Sequence, residues 1–234
     1  VPLVRQRHEE HEAACTITCN GEYDTRWSKT MVGYATEDKA YAIELTYNYG
    51  VRSYRKGDAL RAIGIHMRKP FLETVEAAGH LGFGPAESDG KAIRLTGPDG
   101  YLYMLLPPLA DEGDEPFDHV RLRVSDLEAS ANFYTKTLGM GEPFVTVYEQ
   151  ALQGRGELED TRVVSYRPPG GKEGGVMLIL EEASSKKVKV EQWEGRHAVT
   201  MPEEELRATY ANLKEESPKS IVHELRELED KLGS

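Results

Sequence analysis

Between residues 117 and 124 polar and apolar side chains alternate, with Val120, Leu122 and Val124 on one side and His119, Arg121 and Arg123 on the other. This period of two predicts a strand with one buried face and an unusually basic opposite face. Ser125-Asp126-Leu127-Glu128 then has capping-box spacing, and Leu127, Ala131, Tyr134 and Leu138 recur at helical intervals before Gly139. A helix is predicted there. Three β-rich runs follow, at Pro143–Gln150, Thr161–Tyr166 and Val176–Leu180, so that the stretch reads βαβββ.

The same pattern runs through the earlier residues. Thr30–Tyr34 and Tyr41–Tyr47 predict strands, Ala62–Met67 another, Pro70–Ala78 a Pro-initiated helix ending at Gly79, and Ala92–Leu95 with Tyr101–Leu106 a hairpin turning at Gly97-Pro98-Asp99-Gly100. After residue 190, Gly195–Thr200 predicts a strand, Glu203 to about Glu215 a helix, and Ile221–Leu232 either a strand or an amphipathic helix, the repeat favouring the strand. Val32-Gly33-Tyr34 aligns with Val164-Ser165-Tyr166, Ile43-Glu44-Leu45 with Leu178-Ile179-Leu180, and Pro70 with Pro202. Four βαβββ modules in two halves result. By this alignment Leu3 falls against Met140, so that the first module lacks its opening strand and helix and the fourth lacks its closing hairpin. The acidic stretch 110–116 divides the chain into 1–109 and 117–234.

Composition narrows the function classes. The 234 residues are 39% hydrophobic and 29% charged with a net charge of −11, which predicts a globular chain rather than a disordered one. An acidic surface repels phosphate backbones, so nucleic acid is not an expected partner. No apolar run approaches the ~20 residues of a membrane span. Cys15 and Cys19, four apart, match neither redox nor zinc spacing and read as reduced thiols in a reducing compartment. The run His8-Glu9-Glu10-His11-Glu12 has its histidines three apart rather than the four of a metalloprotease helix, and it reads as a solvated charge run. Gly170-Gly171-Lys172 reads as a hairpin loop, and Trp27 and Trp193 as packing anchors.

The modules together with several motifs resemble the vicinal oxygen chelate superfamily, which includes glyoxalase I. Glu44-Leu45-Thr46-Tyr47-Asn48-Tyr49-Gly50 resembles that enzyme's ELTxNWG segment, and Gly97-Pro98-Asp99-Gly100-Tyr101 its DPDGY hairpin. His119–Leu127 with Phe133–Met140 resembles its opening strand and helix. The resemblance implies an α+β fold of mixed half-barrel sheets with helices outside. It also implies lactoylglutathione lyase-like chemistry on the methylglyoxal–glutathione adduct, in which a divalent metal such as zinc or nickel is held by four side chains while a carboxylate moves a proton.

Carried over by position, the metal slots hold Glu44 and His119, but also Gly64, Met104, Ile179 and Arg196. The resemblance thus implies degenerate metal sites, with Glu44 as the one inherited catalytic carboxylate. Were modules two and three to share a barrel, His66, His119 and Glu181 would form a displaced set of two imidazoles and a carboxylate, suited to zinc or iron. For ligand binding, Arg123 and Asn48 occupy positions that contact glutathione in the family, and Arg121 adds charge to the same face. Both arginines read equally as sheet-surface residues paired with local acids. The expected partner is a small anionic or glutathione-like molecule, with a metal-dependent isomerase and a non-catalytic interaction protein as alternatives. The chain is expected to be a monomer or homodimer in the cytoplasm or mitochondrion.

Overall fold

The computed structural model describes residues 4–16, 19–36, 40–88, 92–108, 116–140, 161–165, 176–191, 202–221 and 225. Three antiparallel strands, β1 (Val4–His11), β2 (Trp27–Gly33) and β3 (Ala42–Asn48), form one sheet in that order. A second sheet has the order β5-β6-β7-β4-β8-β10-β9. Its strands are β4 (Leu60–His66), β5 (Glu87–Ser88), β6 (Ile93–Thr96), β7 (Leu102–Leu106), β8 (Phe117–Val124), β9 (Thr161–Ser165) and β10 (Met177–Glu182). This is the α+β architecture of βαβββ modules that the sequence predicts.

Modules two and three repeat one plan inside the seven-stranded sheet. β4 lies parallel to β7, and β8 lies parallel to β10. Parallel neighbours need a long crossover, which in module two includes α1 (Phe71–His80) and in module three α2 (Leu127–Asn132). The two plans then join through an antiparallel β4–β8 ladder that pairs Gly64 with His119 and Ile63 with Val120. Hydrogen bonding is therefore continuous across the boundary drawn at 110–116, most of which lies outside the described residues.

Both prolines matched by the repeat precede helices in the same backbone conformation. Pro70 before α1 has φ −55° and ψ 149°, and Pro202 before α3 (Glu203–Glu216) has φ −55° and ψ 145°. The start of α2 differs from the predicted box. Asp126, not Ser125, is the cap: its carboxylate accepts from the Ala129 amide at 2.8 Å, while Glu182 of β10 accepts from the Leu127 amide at 3.0 Å. A carboxylate supplied by the neighbouring strand replaces the Glu128 arm of the box, and both acids suit the positive end of the helix. The helix then widens into a π-helical turn, Phe133–Thr137.

Alternation decides which face each helix covers. Val120, Leu178 and Leu180 pack with Leu127 and Met140 beneath α2, and Ile93, Leu95 and Ala78 pack beneath α1. The first sheet is tied in by Tyr34 and Tyr41, whose rings meet Phe117 edge-on at 5.4 and 5.2 Å. Trp27 is buried, stacks on His11 at 4.1 Å and donates its indole N–H to the Ala13 carbonyl, so it anchors the core as read. The charge run lies along β1 as read, in ion pairs such as Arg7–Glu9, Arg26–Glu10 and Lys29–Glu9.

Cys15 and Cys19 correct an expectation. They are disulfide-bonded rather than free thiols, with Cα atoms 5.4 Å apart, within bridging range. Among the described residues no helix is long and apolar enough to cross a membrane. The expected elements at Pro143–Gln150 and Gly195–Thr200, all but two residues of Ile221–Leu232, Gly170–Lys172, Trp193 and Arg196 lie outside the described residues.

Candidate functional site

The sheet face opposite α1 and α2 carries the polar residues of β8 and β10. Two β-bulges at the ends of the β4–β8 ladder modify it. Leu60 pairs with Leu122 and Ala62 with Arg121, which leaves Arg61 as an extra residue; Gly64 pairs with His119 and Ile65 with Phe117, which leaves Asp118 as another. A bulge breaks strict alternation and re-aims the extra side chain. Arg61 thereby joins Arg121 and Arg123, and Asp118 comes beside His119.

Arg61, Arg121 and Arg123 surround Glu181 at the edge of a cavity of about 430 Å³, floored by Ala62, Leu102 and Met104. Glu181 Oε2 lies 2.9 Å from Arg121 Nε, and its Oε1 lies 3.1 Å from Arg123 Nη2 and 3.6 Å from Arg61 Nε. Arg121 and Arg123 thus pair with a local acid, one of the two readings the sequence left open, and they also line the cavity. Arg61 was missed, since period-two reading puts it on the other face from Ala62.

At the far end of the ladder Asp118 bridges two histidines. His119 is fully buried and donates from Nδ1 to Asp118 Oδ2 at 2.6 Å; His66 Nε2 lies 3.1 Å from Asp118 Oδ1, and its Nδ1 lies 2.7 Å from the Pro107 carbonyl. Both nitrogens of His66 face oxygen acceptors, which only the imidazolium satisfies. Burial alone would lower its pKa, but Asp118 and the Pro107 carbonyl outweigh that and hold it above the ordinary value. Burial alone would raise Asp118, but hydrogen bonds from His119 and His66 prevail and hold it at about 2.

The sign of the pH dependence follows. The contribution of His66 to stability is complete below the ordinary imidazole pKa and is lost as pH rises through the raised folded value. That of Asp118 is complete above the ordinary carboxylate pKa and is lost as pH falls towards about 2. Urea midpoints measured across pH should therefore form a plateau in mildly acidic buffer with a fall on either side. His66→Gln should flatten the alkaline fall, and an unchanged alkaline limb in that variant would contradict the assignment.

The proposed metal groups can be placed against this geometry. His66 and His119 do come together, but on Asp118, while Glu181 stands among guanidiniums. At Gly64 an added Cβ would lie 2.3 Å from His119 Cε1, so the imidazole fills the space that a side chain in that slot would need. Met104 and Ile179 bury apolar groups in the other inner slots. A divalent cation in the adjoining cavity would meet the guanidiniums of Arg61, Arg94, Arg121 and Arg123 against two carboxylates, and this donor set does not fit a metal. Among the described residues no group of three His, Cys, Asp or Glu is arranged to hold one. Glu44 is exposed on β3, opposite Met31 of β2. Asn48 is buried in a clasp: its Oδ1 accepts from Asn20 Nδ2 at 2.9 Å, and its backbone amide donates to the Tyr54 hydroxyl at 3.1 Å.

Paired βαβββ modules, with helices on one face of the seven-stranded sheet and polar residues on the other, define a mixed-sheet α+β class, and comparison with known proteins agrees. Residues 117–230 match the family model described as the glyoxalase/bleomycin resistance protein/dioxygenase superfamily. A Caenorhabditis elegans protein named glyoxalase 1 is 34% identical over 225 residues, covering 95% of this chain and 69% of that protein. Rat glyoxalase domain-containing protein 4 is 36% identical over 144 residues, covering 62% of this chain and 45% of that protein. Glyoxalase I from Zea mays superposes with a TM-score of 0.57 at 21% identity, covering 91% of this chain and 71% of that one. The chain belongs to the glyoxalase/bleomycin resistance protein/dioxygenase superfamily.

Proposed function

We propose that modules two and three form a metal-independent binding site for a small anionic or glutathione-like ligand, in a glyoxalase I homologue whose inner metal slots are degenerate. The observation that carries this reading is the convergence of Arg61, Arg121 and Arg123 on one cavity in a chain of net charge −11. Local positive charge draws anions to the cavity, and planar guanidiniums recognise carboxylates in a bidentate manner. Isothermal titration with S-methylglutathione should show binding that survives chelation of metals. Arg123→Ala should weaken it about tenfold, in line with the loss of a charge-assisted hydrogen bond. Binding indifferent to that substitution would remove the reading.

A second reading, an active lactoylglutathione lyase-type isomerase in a fuller chain, draws on Glu44 in the family's ELT segment and on the relative named glyoxalase 1. Metal content by mass spectrometry and hemithioacetal isomerisation with added zinc or nickel separate the two. Stoichiometric metal, with turnover abolished by Glu44→Gln, would favour the isomerase.

A further inference from the structure

We propose that the arginine-lined cavity is a receptor for a compact dianion, a phosphomonoester or a small dicarboxylate, and that Glu181 occupies its centre as an intramolecular competitor. This deepens the anion-binding reading and rests on it. The side chains of Arg121 and Arg123 are 13% and 24% exposed, so their charges are largely withdrawn from water. The Nε–H groups of Arg61, Arg121 and Arg123 are all buried and none has an aligned hydrogen-bond acceptor among the described residues, although Glu181 sits at ion-pair distance from all three side chains. Buried donors held only by a misaligned ion pair are under-satisfied, and a ligand with more acceptor oxygens than one carboxylate would complete their bonding.

The charge arithmetic agrees. Four guanidiniums, those of Arg61, Arg94, Arg121 and Arg123, line the cavity, and three of them share the single charge of Glu181. The next carboxylate, Asp58, lies 3.5 Å from Arg123 Nη1, is 41% exposed, and also accepts from the Lys189 amide. Glu182 is engaged by Lys186 and by the first amide of α2. A monocarboxylate entering this cavity would only exchange one carboxylate for another, against a tethered competitor already in place. A dianion brings a second charge and further acceptors that Glu181 cannot supply. Ala62, Leu102 and Met104 add apolar lining beside the charges, and apolar surroundings strengthen an ion pair.

The test is titration calorimetry of the whole chain at constant ionic strength with methyl phosphate, succinate, acetate and S-methylglutathione. The wild type should bind at least one of the two dianions tenfold or more tighter than acetate; phosphate ahead of succinate identifies a tetrahedral group, and the reverse a pair of carboxylates. Glu181→Gln should tighten dianion binding several-fold and admit acetate, while Arg121→Ala should weaken dianion binding tenfold or more. Acetate matching both dianions in the wild type, or Glu181→Gln weakening them, overturns the proposal. Should Glu181→Gln not fold, the wild-type salt dependence decides: the dianion's slope of log affinity against log salt should be about twice that of acetate, and equal slopes overturn the proposal. S-methylglutathione binding without either dianion would sink this inference alone, and silence from all four probes would sink the anion-binding reading with it.

Discussion

Gly64→Ala is expected to destabilise the protein by about 3 kcal/mol, at the upper end of overpacking costs, although it adds a single methyl group. The added Cβ would lie 2.3 Å from His119 Cε1 and 2.4 Å from Nδ1, well inside van der Waals contact. The ring has little freedom to retreat, because His119 is fully buried and held by Asp118 at 2.6 Å. Urea denaturation would measure the loss, and a double-mutant cycle would assign it. His119→Ala alone should destabilise, yet in the Gly64→Ala background it should recover part of the loss, since it removes the collision. Strict additivity of the two changes would mean that the ring moves aside freely.

Asp118→Ala should cost about 3 kcal/mol or more, in the range for breaking a largely buried ion pair by deleting one partner. Two imidazoles depend on this carboxylate, at 2.6 and 3.1 Å, and the substitution leaves both facing the gap. Asp118→Asn should fall between the wild type and the alanine variant, since the amide oxygen still accepts a hydrogen bond but no charge opposes the imidazolium. The alkaline fall in stability should disappear in both variants, because His66 then has no anion to raise its pKa. A loss below about 1 kcal/mol for Asp118→Ala would place the bridge among ordinary surface pairs.

Much of the architecture was legible because strands and helices announce themselves by period. The alternation from His119 to Val124 placed the arginines opposite the core, and the prolines at 70 and 202 marked equivalent helix starts. Arg61 and Asp118 were not legible in the same way. A bulge is an extra residue in one strand of a pair, visible only when the partner's register is known, and the β4–β8 register joins segments far apart in sequence. Asn48 shows a different limit. The motif around it identifies the family segment, but the buried amide pairs with Asn20, whose own side-chain oxygen accepts from the Cys15 amide. Side-chain partners of that kind follow from tertiary placement rather than from spacing.

The order of strands also constrains how the chain can fold as it leaves the ribosome. β4 sits between β7 and β8, and both are synthesised after it. Until β8 emerges, one ladder edge of β4, bearing Ile63 and Ile65, has no neighbour within the nascent chain, which is the condition under which strands pair wrongly or recruit chaperones. Arg61, near the start of that strand, places a permanent charge beside the waiting apolar residues, as gatekeeper residues do for an edge left open during synthesis.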